Sequence, residues 1–175
     1  MRDNVNTASV KGGFVLLCVL IIDQITKSLV INNLSLHEII AVCPCLNIVH
    51  FRNIGISFGM LSNGNTWQLA VIWTTVGALL VYLIRQFVTA THWIPSVCIG
   101  GIIGGALGNV ADRVIYGSVI DFIDCYIKKL TLFSWTILEW HWPAFNVADS
   151  AIVVGVCCLM LYSLKNNKGS TSKRR

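Results

Sequence analysis

Four apolar runs govern what this chain can fold into: Gly12 to Asn32, Trp67 to Ile84, Trp93 to Ala111 and Phe145 to Leu164. Each approaches the roughly 20 helical residues that cross a hydrocarbon core. A lipid-exposed segment must satisfy its backbone hydrogen bonds internally, as a helix does. Only 12% of residues are charged, against about 25% in an average soluble domain. The expectation is an all-α membrane protein with transmembrane helices over 12–32, 67–84, 93–111 and 145–164, forming one integral-membrane domain over 1–175. Outer connections 34–65 and 113–144 have room for further structure, and 165–175 is a basic tail.

The first run is read as a retained helix, because it lacks a small-residue cleavage site and carries Asp23, Gln24 and Lys27 in its second half. Basic residues orient the bundle. Arg2, Lys11, Arg85, Lys165, Lys168, Lys173, Arg174 and Arg175 all fall on the side of the termini, which makes that side cytoplasmic. The tail "KNNKGSTSKRR" is a topology anchor with anionic lipid as its partner; without base-stacking aromatics it does not suggest nucleic acid.

Seven of the eight acidic residues then lie toward the extracytoplasmic face. An ionised carboxylate inside the hydrocarbon costs roughly 2.5 to 3.5 kcal/mol on insertion scales, so each one needs a partner, a proton or a task. Asp23 has Lys27 at i+4 and reads as a structural pair. Asp149, about 6 Å below the outer start of the last run, has only Asn146 and Ser150 nearby on its own helix. Asn146 and Asp149 share a helix face and point toward the second outer connection. There the turn "VIYGS" sends "VIDFID" back toward the membrane, bringing Asp121 or Asp124 toward Asp149.

Two carboxylates that close share a proton: one acts as base toward a water, the other as acid toward a developing oxyanion. That is aspartyl protease chemistry. Serine or cysteine catalysis is less plausible, since no Ser or Cys stands at a spacing that suggests a His base. Asn109, Asp112 and Arg113, at the outer end of the third run, are expected to form one hydrogen-bonded cluster that braces the site. The glycines at 100, 101, 104, 105 and 108 make two small-residue stripes that admit a neighbouring helix.

"LNIVHFRNIGISFGML" mixes β-branched and aromatic residues, and predicts a short sheet on the membrane surface. In it, Asn53 and Gly55 either offer an amide and a close backbone approach to an extended peptide or are structural turn residues. "CYIKKLTLFSWTILEWHW" has the composition of an amphipathic segment lying at the headgroup level, serving as interfacial anchor or lid. Seven cysteines show no metal signature; outside the helices only Cys43 and Cys45, in "CPC", are closely spaced, and neither a metal nor a cofactor is expected.

In order along the chain, "DQITK", "RNIGISFG", "GNVADR", "VIDF" and "FNVADS" resemble the blocks of bacterial lipoprotein signal peptidase, also called signal peptidase II. The resemblance implies an aspartyl endopeptidase of the bacterial inner membrane that cuts prolipoproteins on the amino side of a diacylglyceryl-modified cysteine. It implies a small extracytoplasmic β-sheet and a surface helix, and the working unit is taken as a monomer. It places the catalytic pair on Asp121 and Asp149. Asn53, Asn109, Arg113 and Asn146 correspond to polar residues around the pair and substrate, while Asp23 and Lys27 correspond to the structural pair. The segment between Asp121 and Asn146 is longer than the family pattern. A proton- or ion-coupled transporter is the alternative, but the inner halves of the helices carry no charge to complete a path. A non-catalytic scaffold would leave Asp149 unexplained.

Overall fold

A computed structural model describes residues 2–54, 66–127, 130–132, 135–137 and 140–172. The order is α1 (Arg2–Asn33), β1 (Ile39–Cys43), β2 (Leu46–Asn53), α2 (Thr66–Thr89), α3 (Trp93–Tyr116), β3 (Val119–Ile127), β4 (Leu130–Leu132), β5 (Trp135–Ile137), β6 (Trp140–His141) and α4 (Val147–Ser172). Thr7–Asn33, Trp93–Tyr116 and Val147–Asn166 are long and apolar enough to cross a membrane, and α2 contributes a shorter apolar helix over Trp73–Thr89. Helices run past the apolar runs at several ends. α3 continues to Tyr116, so Arg113 lies in a last helical turn and not in a loop. It stops where Gly117 takes a φ of 71° and donates its N–H to the Arg113 carbonyl at 3.1 Å.

The chain forms two compact units. One comprises residues 1–22, 64–109 and 147–175. Its core is Leu83, Ile99, Ile102 and Ile103, with Leu16, Phe87, Ile152 and Leu159 packed around them. Outward-facing Phe14, Leu17, Val153, Val154 and Leu161 remain exposed, a surface suited to lipid tails and poorly suited to water. The two glycine stripes of α3 serve two different neighbours. A Cβ on Gly100 would strike the Gly12 carbonyl of α1, and one on Gly104 would come within 2.6 Å of the Leu16 carbonyl. On the other stripe, a Cβ on Gly105 would strike the Ala148 carbonyl of α4. Backbone-to-backbone contact of this kind is how helices gain packing energy where lipid removes the hydrophobic drive.

The second unit comprises residues 23–63 and 110–146. Its sheet has the antiparallel order β1-β2-β3-β6, with irregularities in register between Ala41 and Cys43 and between Ile48 and Phe51. The expected sheet in the first outer connection is therefore present. In the second, the expectation of an amphipathic surface helix gives way to strands: β3, the separate β4–β5 pair and β6 occupy the described part of the segment. The cause is composition, since "VIDFIDCYI" and "WTI" are rich in β-branched and aromatic residues that fit a pleated surface better than a helix. β3 is central and its first four residues are buried, so its apolar side chains are covered on both faces.

Lys27 organises this unit. Its Nζ lies 2.8 Å from Asp23 Oδ2 and 2.8 Å from Asp112 Oδ2, and all three side chains are at most 2% exposed. Gln24 Nε2 donates to Asp23 at 3.2 Å and to Asp112 at 3.0 Å. Asp112 Oδ2 also accepts the Ile120 N–H at 3.1 Å, so the cluster anchors the start of β3.

Two outcomes follow for stability, both read as thermal unfolding in detergent. Gly100→Ala should lower the midpoint by an amount equivalent to about 1–3 kcal/mol, as for overpacking, whereas Gly77→Ala, with open space around it, should be neutral or stabilising. Lys27→Met strands two buried carboxylates and should cost about 3–5 kcal/mol; an unchanged midpoint would show that the cluster does not hold the fold.

Candidate active site

Asp121 sits in the buried half of β3 and is 4% exposed. Across the strand pair it faces Phe51, and two residues further along β2 Asn53 reaches the same face. Asn53 Nδ2 donates to Asp121 Oδ2 at 3.1 Å, and Asn146 Nδ2 donates to Oδ1 at 2.8 Å. Asn146 is fully buried and donates also to the Ile120 carbonyl at 3.3 Å. Its position is set by the preceding residue. The Phe145 carbonyl accepts from Phe122 N at 3.0 Å and Ile123 N at 2.8 Å, while Phe145 N donates to the Ile123 carbonyl at 3.0 Å. The chain is thus stitched to β3 immediately before α4 begins.

Both oxygens of Asp121 accept from neutral amides.

Asp149 lies in the first turn of α4, where the unsatisfied backbone N–H groups favour a negative charge. Asn109 Nδ2 of α3 donates to its Oδ1 at 2.8 Å. The glycine stripe explains the reach. Gly105 lets the backbone at Ala148 come into contact, and Asn109, one helical turn beyond Gly105, is then near enough for its amide to reach Asp149.

The expected single cluster of Asn109, Asp112 and Arg113 resolves differently. Asp112 gives its oxygens to Lys27, Gln24 and Ile120 N, while Asn109 turns to Asp149. Three helical positions differ by about 60° around the axis, enough to direct the two side chains toward different partners. Arg113 is half-buried in the last turn of α3. Gly55 lies outside the described residues. Asp23 and Lys27 form the ion pair their spacing indicates, with Asp112 as a third member that spacing along α1 could not reveal.

Asp124, the other acid of "VIDFID", is buried in a separate cluster. Asn47 Nδ2 donates to its Oδ2 at 2.8 Å, and His141 Nδ1 lies 2.8 Å from its Oδ1. The Tyr126 ring stacks on His141 with centroids 5.1 Å apart. Asn47 and His141 were not singled out from the sequence; they stand far apart in the chain and only strand pairing brings both to Asp124. Among the described residues no group of three or more His, Cys, Asp or Glu side chains is placed to hold a metal ion.

A family model described as Signal peptidase (SPase) II matches residues 15–165. A protein named lipoprotein signal peptidase from Actinobacillus succinogenes is 40% identical over 160 residues, covering 88% of this chain and 90% of its own. One of the same name from Thermodesulfovibrio yellowstonii is 44% identical over 148 residues, covering 84% and 90%. A solved structure described as a bacterial membrane enzyme determined by the in meso method at 2.3 Å superposes with a TM-score of 0.75 at 29% identity, covering 90% of each chain. With the matched region spanning most of its length, and carboxylates held by asparagine amides within it, this chain belongs to the signal peptidase II family.

Proposed function

We propose that this protein removes signal peptides from lipoproteins as an aspartyl endopeptidase, with Asp121 and Asp149 as its catalytic pair. The observation that carries the reading is the position of Asn146. Its amide holds Asp121 at 2.8 Å, and three residues later the same short stretch of chain supplies Asp149 in the first turn of α4. In this reading one carboxylate takes a proton from a water, the water attacks the scissile carbonyl, and the other carboxyl, protonated, stabilises the oxyanion and delivers a proton to the leaving amine. Asn53 and Asn146 orient Asp121, and Asn109 orients Asp149. Arg113 and Gly55 belong to the surroundings of the substrate.

The substrate in this proposal is a prolipoprotein whose signal helix lies in the bilayer and whose cysteine carries a diacylglyceryl group, cut on the amino side of that cysteine. All four helices cross the inner membrane, both termini are cytoplasmic, and the sheet bearing Asp121 lies at the extracytoplasmic face. The distribution of basic residues supports this orientation. The layout has a physical logic, since a lipid-anchored scissile bond rests near the headgroups and water and acid must be brought there. The enzyme works as a monomer. Family membership supplies no support for the transporter alternative.

Asp121→Asn and Asp149→Asn should each reduce cleavage of a diacylglyceryl-modified precursor by at least the 10²- to 10⁴-fold typical of general acid–base groups, roughly, with thermal unfolding little changed. The readout is the gel shift of the precursor. Near-parental turnover by purified Asp121→Asn enzyme would overturn the assignment. Asn146→Ala should lower kcat by roughly 10- to 100-fold, the loss of a hydrogen bond to a charged group. The pH–rate profile should show two macroscopic pKa values belonging to the pair, and the Asp→Asn variants should lack that shape.

A further inference from the structure

Outside the carboxylate sites, the most reactive arrangement among the described residues is at the β1–β2 turn. Cys43, Pro44, Cys45 and Leu46 form it, with Cys43 and Leu46 facing each other across the strand pair. The Sγ atoms of Cys43 and Cys45 are 3.8 Å apart, and both residues are exposed. A covalent S–S bond is 2.03–2.05 Å, so closure requires about 1.8 Å of approach.

The backbone on both sides of Pro44 is held by one residue of β3. Tyr126 N donates to the Cys45 carbonyl at 3.0 Å, and Tyr126 Oη makes a long 3.5 Å contact with the Cys43 carbonyl. Tyr126 is itself buried. Pro44 fixes its own φ, so little backbone freedom remains between the two sulfurs. A turn held in this way presents two thiols side by side.

We propose that Cys43 and Cys45 are a thiol–disulfide exchange site, which takes an exposed disulfide of a protein or small molecule as its reactant and closes to an intramolecular disulfide. The chemistry balances in two steps. The Cys43 sulfur, as thiolate, attacks one sulfur of the donor disulfide; a Cys43–donor mixed disulfide forms and the first donor thiol leaves. Cys45 then attacks Cys43 Sγ, the mixed disulfide breaks, and the second donor thiol leaves. The two cysteines lose two electrons and two protons, and the donor disulfide gains them as two thiols. A hydrogen bond with Cys43, foremost, pushes the Cys45 thiol above its usual range, and the exchange balances equally with the two cysteines in the opposite order. Cys125 is paired opposite Leu46, beside the turn, and is the competing third thiol.

Use of the site in the cell rests on the extracytoplasmic placement of the sheet proposed above, because that compartment supplies disulfide donors and the cytoplasm removes them. The chemistry of the pair is tested independently of it. Purified full-length protein in detergent is incubated with an oxidised and reduced glutathione buffer, acid-quenched, alkylated and mapped by peptide mass spectrometry. The expected result is a peptide carrying both cysteines that has lost two hydrogens and takes no alkylating group. Cys125→Ser should leave that closure intact, while Cys43→Ser and Cys45→Ser should each leave one thiol that is alkylated or capped by glutathione.

A stable glutathione adduct in the parental protein, or a bridge to Cys125, would overturn the proposal. So would acid-trapped cells in which both thiols remain reduced although the purified pair closes. Cleavage of a lipid-modified precursor, assayed on the same preparation, reports on the catalytic reading separately: closure without cleavage sinks that reading alone, and cleavage without closure sinks this one alone.

Discussion

Lys27, held between Asp23 and Asp112, is the interaction on which the sheet-bearing unit depends. One ammonium against two buried carboxylates is a geometry that neither acid could sustain alone away from water. The gain is positional. Asp112 accepts the Ile120 N–H, and Asn146 donates to the Ile120 carbonyl. Both backbone polar groups of the residue before Asp121 are therefore held by buried side chains. A carboxylate whose backbone is pinned in this way has little freedom to leave its asparagine partners.

The helical unit reaches a similar precision through absence of side chains. Gly100 and Gly104 bring α1 against α3, and Gly105 brings α4 against it. Without a Cβ at Gly105, the start of α4 approaches closely enough for Asn109 to bond Asp149. Packing and chemistry share the same residues here, because contact between helix backbones is what sets the reach of a side chain as short as asparagine. Asparagine amides orient both carboxylates, Asn53 and Asn146 on Asp121 and Asn109 on Asp149, as suits an aspartyl enzyme.

Much of this was legible in the linear sequence, for identifiable reasons. Apolar runs of helical length announce themselves, and an Asp and a Lys four residues apart on such a run must meet. Alternation of β-branched and aromatic residues announced β2. In "CYIKKLTLFSWTILEWHW" the lysines and tryptophans gave the composition of an amphipathic surface segment; pairing of Tyr126 with His141, Ile127 with Trp140 and β4 with β5 made strands of its described part. That Asp112 and Asn109 take different partners was hidden for a related reason. Spacing along a helix shows which residues are near each other, but the partner helix decides where each one points.

By itself, the sequence determined that this chain lives in lipid, how many apolar runs it has and which family it resembles, because those properties follow from local composition and from motifs read in order. Tertiary structure alone decided the partners of each acid: Asp112 with Lys27, Asp124 with Asn47 and His141, Asp121 with Asn53 and Asn146. A buried charge takes the nearest well-placed donor, and which donor is nearest is set by strand register and helix contact between segments distant in the chain.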